Sequence, residues 1–208
     1  MFEQSVSHET KLVLEKIVRS RLVNNFYLGG GTALALELGH RKSIDLDWFS
    51  QTDFSNRHLK EKLSELGKLE IIGEEDGTLH TVLDGVKVTF LRYKYPLLFP
   101  LVEFDGIKLA DERDIASMKI DAVSSRGSKK DFIDIYFILK KYSLIELIEF
   151  FVQKYQGIEY NKLHILKSLA YFTDAESEPM PEMLQKADWE EVKETIRNRV
   201  NKLIDLWK

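Results

Sequence analysis

Two acidic residues spaced two positions apart form the pattern in this chain that is best suited to chemistry. Asp45 and Asp47 alternate with the apolar residues Ile44, Leu46 and Trp48, which is the period-two pattern of a β-strand. Side chains at i and i+2 of a strand point the same way, so the two carboxylates would lie close together. Like charges held close destabilise each other unless a cation lies between them. The spacing therefore favours a site for Mg²⁺ or Mn²⁺, although an isolated Asp-x-Asp is also typical of a solvated acidic strand face.

Three consecutive glycines precede these aspartates. Gly29, Gly30 and Gly31 follow a short apolar run and precede a helical segment that is predicted to start at Thr32. Glycine lets the backbone turn tightly and approach a ligand closely. The free N–H groups and the dipole at a helix start favour a phosphate, and the Thr32 hydroxyl could add a hydrogen bond. Alone, this pattern is more typical of a plain tight turn. Followed by the aspartates, it indicates phosphate-binding amides beside metal-binding carboxylates.

The two motifs together resemble a known family signature. Residues 28–36 (LGGGTALAL) and 40–49 (HRKSIDLDWF) are similar to the nucleotidyltransferase AbiEii/AbiGii toxin family. That family shows a Gly-Gly-Thr-Ala-Leu turn and helix, a basic residue, and then Ser-x-Asp-x-Asp with an aromatic residue. The match is close over about twenty residues, and the order of elements agrees over most of the chain. The resemblance implies an α+β fold of the polymerase-β type, with a divalent metal on Asp45 and Asp47. It also implies that four residues bind the NTP: Gly30, Gly31, Thr32 and Ser43.

A second group of charged residues lies farther along the chain. Lys119 and Arg126 are two helical turns apart and share a face, and Lys130, Asp131 and Asp134 open the next helix. One interpretation is a solvated helix hairpin with i,i+4 pairs such as Lys130 with Asp134. The family resemblance instead implies that Lys119 contacts nucleotide phosphates and that Arg126 and Lys130 support phosphate or acceptor binding. Asp131 or Asp134 would then hold the lysine or assist the acceptor.

One strand departs from the family pattern. Nucleotidyltransferases of this fold often carry a third carboxylate on a later central strand, which corresponds here to residues 86–91. Thr89 stands where many relatives have an acidic residue, and a hydroxyl is a weak metal ligand and a poor general base. Three outcomes remain open: one-metal catalysis, a different base such as Asp131 or Asp134, or a binding protein without catalysis.

Apolar periodicity places these motifs on an α/β half that is followed by an all-α half. We predict a mixed-sheet nucleotidyltransferase domain at 1–110 and a helical domain at 111–208 that completes the active-site cleft. In the first domain, helices are predicted at 7–24, 32–38 and 55–66, and strands at 26–28, 43–49, 69–72, 78–83, 86–93 and within 101–109. In the second, helices are predicted at 114–125, 130–141, 144–154, 160–171 and 189–206, with a loop over 173–183 and N-caps at Asp114 and Asp188.

Composition excludes several classes of protein. There is no cysteine, which excludes a disulfide framework, a thiolate zinc site and a cysteine nucleophile. No apolar run reaches the roughly 18 residues of a membrane span, and the polar first residues are unlike a signal or transit peptide, so a cytoplasmic protein is expected. The net charge of −4 argues against broad nucleic-acid affinity, so any RNA contact must be local. Two basic clusters are available: Arg41-Lys42, and Lys119 with Arg126, Lys129 and Lys130.

The predicted function is transfer of an NMP from an NTP to an acceptor hydroxyl. The resemblance implies an RNA acceptor such as the 3′ end of tRNA. It also implies the toxin of a toxin–antitoxin or phage-defence pair, with a cognate antitoxin as partner. The first alternative is a nucleotide- or protein-binding module with this fold and no turnover, which Thr89 favours. Transfer to a small molecule such as an aminoglycoside ranks lower, because the sequence has no acidic pocket signature that would select a polycation.

Overall fold

The computed structural model describes residues 1–206, and these fall into two compact units. The first unit is Met1–Asp111, and the second begins at Glu112. A mixed sheet, three α-helices and a short 3-10 helix (Glu3–Ser5) form the first unit, and the named elements of the second unit are all helices over its described residues. The predicted α+β class is therefore confirmed.

A seven-stranded sheet organises the first unit. Its strands are β1 (Tyr27–Leu28), β2 (Leu46–Ser50), β3 (Leu69–Glu75), β4 (Thr78–Leu83), β5 (Val86–Arg92), β6 (Val102–Phe104) and β7 (Ile107–Leu109). Their order across the sheet is β3-β4-β5-β2-β1-β7-β6. β2 runs parallel to β5 and β1 runs parallel to β7, while the other neighbours are antiparallel. The strand that carries Asp47 therefore lies in the middle of the sheet.

A two-residue turn sets the register of the β4–β5 hairpin. Asp84 and Gly85 adopt φ angles of 49° and 83°. Two successive left-handed residues match the twist of the flanking strands, which explains the preference for Asp-Gly at such turns. Leu83 consequently pairs with Val86. The hairpin predicted around this dipeptide is confirmed.

One face of the sheet carries the core of the first unit. Leu46, Trp48, Leu79, Val88 and Phe90 are each at most 1% exposed. The first unit has three α-helices: α1 (His8–Arg19), α2 (Gly30–Leu38) and α3 (Asn56–Leu66). α1 packs on β5 and α3, and α3 packs on β3 and β4. Because side chains alternate along a strand, the opposite face receives the residues between the core positions, including the one at position 47.

The second unit has six helices within its described residues. They are α4 (Glu112–Ser125), α5 (Lys129–Ile138), α6 (Leu144–Lys154), α7 (Lys162–Leu169), α8 (Thr173–Glu176) and α9 (Trp189–Leu206). α6 has the predicted bounds because Ser143 and Glu146 form a reciprocal capping box. Asp188 caps α9, since its carboxylate accepts hydrogen bonds from the N–H groups of Glu190 and Glu191.

Several predicted boundaries are wrong for identifiable reasons. α1 ends at Arg19, before the predicted residue 24, and the chain turns away at Arg21 with a left-handed φ of 60°. β2 begins at Leu46, so Ile44 is not part of the buried face and is 62% exposed. Asp114 does not cap a helix, because α4 starts at Glu112. The predicted loop over 173–183 contains α8.

Within residues 1–206, no helix is both long and apolar enough to cross a membrane.

Candidate functional site

The glycine turn joins the start of α2 to the central strand. Gly29 is the N-cap, and α2 starts at Gly30 rather than at the predicted Thr32. Gly30 and Gly31 therefore supply their N–H groups to the first helical turn, where intrahelical acceptors are lacking. The N–H of Gly29 donates to the carbonyl of Asp47 over 3.0 Å. The amide-lined turn and β2 are thus hydrogen-bonded neighbours.

Two hydroxyls fix the turn against the segment that leads into β2. Thr32 is 1% exposed, and its hydroxyl donates to the main-chain carbonyl of Asp45. The same hydroxyl lies 2.8 Å from the hydroxyl of Ser43, which is 8% exposed. These contacts position the residues around the aspartates. The predicted nucleotide contacts of Thr32 and Ser43 stay predictions.

The carboxylate of Asp47 lies directly against the glycine turn. A Cβ atom at Gly30 would lie only 2.7 Å from Oδ2 of Asp47, and Gly30 also has a left-handed φ of 63°. Glycine is therefore required at this position for both space and backbone conformation. Asp45 lies one residue before β2, and both aspartates are half-buried. The structure thus places Asp47 at the first turn of α2.

Arg41 also lies at the glycine turn, although the sequence assigned it only to a basic cluster. Its side chain is buried, and Nη1 donates to the carbonyl of Lys42 over 3.0 Å. A Cβ atom at Gly31 would lie 2.6 Å from Nη2 of Arg41. The guanidinium group therefore adds a fixed positive charge to the helix start, which already favours anions.

Thr89 and His80 extend a polar row across the sheet from Asp47. In the parallel pair of β2 and β5, Asp47 is the register partner of Thr89, and in the β4–β5 hairpin His80 is the partner of Thr89. Nδ1 of His80 lies 3.3 Å from the Thr89 hydroxyl. Thr89 is 3% exposed and His80 is half-buried. No role was predicted for His80 because it shows no ligand spacing with the other histidines, although a two-residue turn at Asp84-Gly85 pairs positions 80 and 89.

The donor set of the first unit fits a magnesium ion. Asp45 and Asp47 offer hard carboxylate oxygens, and Mg²⁺ usually takes one or two carboxylates and completes its shell with water and substrate phosphates. Across residues 1–206, no cluster of three or more histidine, aspartate or glutamate side chains is arranged to hold a metal. A site of this kind would therefore depend on the nucleotide for its remaining ligands.

The second unit contains a buried ionic cluster at the start of α5. Nζ of Lys119 lies 2.7 Å from Oδ1 of Asp131 and 2.6 Å from Oδ2 of Asp134, and both carboxylates are fully buried. The Ser128 hydroxyl donates to Asp131 over 2.6 Å, and Nε of Arg126 donates to it over 3.2 Å. Burial alone would raise the pKa of Asp131, but Lys119, Ser128 and Arg126 hold it below its ordinary value.

This cluster brings together most of the second predicted group. Arg126 and Lys130 are exposed, whereas Lys119 is only 5% exposed. The two aspartates fix the lysine ammonium group, which is one of the roles that the resemblance offered for them. The predicted phosphate contacts of Lys119, Arg126 and Lys130 stay predictions.

A second buried ion pair lies elsewhere in the helical unit. Nζ of Lys154 donates to Oδ1 of Asp114 over 2.7 Å, and both side chains are fully buried. Burial lowers the pKa of Lys154, while the hydrogen bond from its ammonium group to Asp114 opposes that effect. This pair connects α6 with α4 and explains why Asp114 is not available as a helix cap.

Comparison with solved structures identifies the fold. The chain matches a putative nucleotidyltransferase from Helicobacter pylori with a TM-score of 0.60 and 18% identity, over 100% of this chain and 99% of that one. It matches MenT4, a nucleotidyltransferase toxin from Mycobacterium tuberculosis, with a TM-score of 0.58 and 14% identity, over 96% of this chain and 86% of that one. The predicted nucleotidyltransferase fold is confirmed.

Sequence comparison narrows this fold to a family. The family described as nucleotidyl transferase AbiEii toxin, of type IV toxin–antitoxin systems, matches residues 12–100, which contain the glycine turn and the paired aspartates. An uncharacterized protein of Aquifex aeolicus (strain VF5) is 37% identical, over 97% of this chain and 99% of that protein. The chain belongs to the AbiEii nucleotidyl transferase toxin family and is a nucleotidyltransferase.

Proposed function

We propose that this protein transfers an NMP from a magnesium-bound NTP to a hydroxyl of a cytoplasmic RNA, such as the 3′ end of a tRNA. The observation that carries the proposal is the close approach of the Asp47 carboxylate to Gly30 at the first turn of α2. This contact supports the proposal because it brings a carboxylate, which can bind a metal, to a helix start, which can bind a phosphate. A substrate that is both a polyphosphate and a metal ligand fits this arrangement.

Each part of the site has a proposed role. Asp45 and Asp47 would hold Mg²⁺ or Mn²⁺, which neutralises triphosphate charge when bound. The N–H groups of Gly30 and Gly31 would bind nucleotide phosphates, as helix starts commonly do, and Arg41 would add its positive charge. Thr32 and Ser43 would contribute to nucleotide binding through the turn that they stabilise.

The reaction would be an in-line displacement at the α-phosphorus. The acceptor oxygen forms a bond to that phosphorus while the bond to the β-phosphate oxygen breaks, and pyrophosphate leaves. Enzymes accelerate such transfers mainly by positioning the reactants and by stabilising charge electrostatically.

The helical unit supplies the remaining proposed roles. Lys119 would offset charge on the nucleotide, with Asp131 and Asp134 fixing its ammonium group. The exposed Arg126 and Lys130 would bind phosphates of the nucleotide or of the RNA acceptor. Local cations of this kind suit a protein whose net charge is −4 and which therefore attracts RNA only weakly as a whole.

The family context supports a further part of the proposal. The matching family is described as the toxin of type IV toxin–antitoxin systems. We propose that this chain is the toxin of such a pair and that a cognate antitoxin is its protein partner.

A binding module without turnover is the second candidate. It is favoured by the register of Asp47 with Thr89, because a hydroxyl occupies the place of a third carboxylate. Such a module would bind the nucleotide through the same turn and the same two aspartates.

A transfer assay distinguishes the two candidates. The protein is incubated with each α-labelled NTP in turn, with Mg²⁺ or Mn²⁺ and purified total tRNA, while calorimetry measures nucleotide binding. Metal-dependent label on the tRNA supports the enzyme. Nucleotide binding with no labelled tRNA, under every metal and NTP, favours the binding module.

A further inference from the structure

His80 lies in the same row of the sheet as Asp47 and Thr89, where it could contact the acceptor hydroxyl of the proposed reaction. Neighbouring strands lie about 4.8 Å apart, so Asp47, Thr89 and His80 form a row that spans roughly 10 Å. Since Nδ1 of His80 lies within hydrogen-bond distance of the Thr89 hydroxyl, the imidazole ring leans over β5 toward β2. The ring therefore lies on the same face of the sheet as Asp47.

We propose that His80 is the general base that accepts the proton of the acceptor hydroxyl. This inference rests on the proposed transferase function and deepens it. Thr89 stands where the family fold often carries an acidic base, and the next residue in the same row is an imidazole. Imidazole is the side chain most often used for this task near neutral pH. The half-buried His80 remains accessible to a substrate.

Thr89 has a positioning role in this scheme. The 3.3 Å contact with the Thr89 hydroxyl orients the imidazole ring, and in the proposed tautomer Nδ1–H donates to that hydroxyl oxygen. Nε2, the ring nitrogen farther from the main chain, then carries the lone pair that a base requires. A contact of this length is typical of catalytic hydrogen bonds before substrate binds.

The proposed step transfers one proton to His80 and exchanges one P–O bond for another at the α-phosphorus. The acceptor O–H gives its proton to Nε2 of His80 as the oxygen forms its bond to the α-phosphorus of the NTP. The bond between that phosphorus and the bridging oxygen breaks, and pyrophosphate leaves with the electron pair. The imidazolium then releases its proton to solvent.

The neighbourhood of His80 offers a matched control. Gly73 on β3 is the register partner of His80, and a Cβ atom there would lie 3.7 Å from Cδ2 of the ring. That is ordinary van der Waals contact. Gly73→Ala therefore touches the imidazole without removing a proton acceptor.

The test measures single-turnover transfer from labelled NTPs to purified total tRNA, beside calorimetric binding of the magnesium nucleotide. We expect His80→Gln to slow transfer by about 100-fold, the effect of losing a general base, with nucleotide affinity nearly unchanged. Free imidazole should restore part of the activity of His80→Ala. Thr89→Val should slow transfer by about 10-fold, and Thr89→Ser should restore it, because the hydroxyl orients the imidazole ring. Gly73→Ala should transfer like the wild type.

The outcomes separate this inference from the function on which it rests. Transfer by folded His80→Gln at the wild-type rate would overturn the role of His80 and leave the transferase intact. A wild-type protein that labels no tRNA would contradict the proposed function, and the role of His80 would fall with it. Loss of activity in His80→Ala without recovery in imidazole, together with equal loss in Gly73→Ala, would show a purely structural effect.

Discussion

Asp47 on β2 and Thr89 on β5 are direct neighbours in parallel register at the centre of the sheet. A carboxylate and a hydroxyl therefore lie side by side at a position where two carboxylates could bind a metal between them. In the proposed site, this pairing would limit how strongly a cation binds without a nucleotide. Asp45 and Asp47 alone would leave the metal dependent on substrate phosphates for further ligands.

Introducing a third carboxylate tests this dependence. Thr89→Asp should lower stability without metal by about 1–3 kcal/mol, because it places a buried negative charge beside Asp47. Mg²⁺ at millimolar concentration should then raise the melting temperature of the variant more than that of the wild type. Thr89→Asn, which has the same shape without the charge, is the control and should respond to Mg²⁺ no more than the wild type does. An equal response of both variants to Mg²⁺ would show that the metal binds elsewhere.

Gly30→Ala should weaken nucleotide binding through its contact with Asp47. A side chain there meets Oδ2 of Asp47 at 2.7 Å and must also adopt a left-handed backbone, which costs roughly 1–2 kcal/mol. Gly106→Ala is the matched control, because Gly106 has a φ of 76° but its nearest neighbour, Val18, is 3.8 Å away. Thermal unfolding should show the cost of the left-handed backbone in both variants, and any further loss of stability in Gly30→Ala comes from its contact with Asp47. Only Gly30→Ala should lose nucleotide affinity, by about tenfold or more. Equal affinities in the two variants would separate Gly30 from the site.

Removing the buried lysine should destabilise the helical unit. Lys119→Met leaves Asp131 and Asp134 buried without their shared cation, and breaking a buried pair in this way costs about 3–5 kcal/mol. Lys130→Met removes an exposed charge from the same region and should change stability by less than about 0.5 kcal/mol. Urea unfolding measures both. A Lys119→Met protein as stable as the wild type would mean that the cluster contributes nothing to folding.

The lowered pKa of Asp131 predicts that the helical unit loses stability in acid. Its pKa is lower in the folded protein than in the unfolded chain, so ionised Asp131 contributes stability above its unfolded pKa of about 3.9. That contribution is lost as the pH falls through the lower, folded pKa. Unfolding free energy should therefore fall more steeply with acid in the wild type than in Asp131→Asn. Parallel pH profiles for the two proteins from about pH 5 to pH 2 would contradict this assignment.

The sequence predicted elements well where local chemistry determines them. The Asp-Gly turn between β4 and β5, the end of α2 at the left-handed Gly39, and the Asp188 cap of α9 all depend on residues within a few positions. The predicted boundaries of helices and strands were wrong where tertiary contacts determine where an element begins or ends. Ser43 belongs to the alternating pattern that predicts a strand over 43–49. It forms only an isolated β-bridge with Val6, however, and β2 begins at Leu46.

The candidate site was predictable only in part for the same reason. The aspartates and glycines are close in sequence, so their spacing indicated their chemistry. The contact between Gly30 and Asp47, and the approach of Arg41 to Gly31, require the fold of a whole helix and strand. The Lys119 cluster combines α4 with α5, and only the packing of these helices shows that both aspartates reach one lysine. His80 was assigned no role because it has no ligand spacing with another histidine, although the hairpin register places it beside Thr89.

The most direct test of the account is calorimetric titration of the magnesium nucleotide into Asp45→Asn/Asp47→Asn. The matched control is Asp53→Asn/Asp76→Asn, which also removes two negative charges, both from exposed partners of Arg92. The site proposed here predicts that the first variant loses metal-dependent nucleotide binding without losing stability, while the control binds like the wild type. Wild-type affinity for the magnesium nucleotide in the first variant would contradict it.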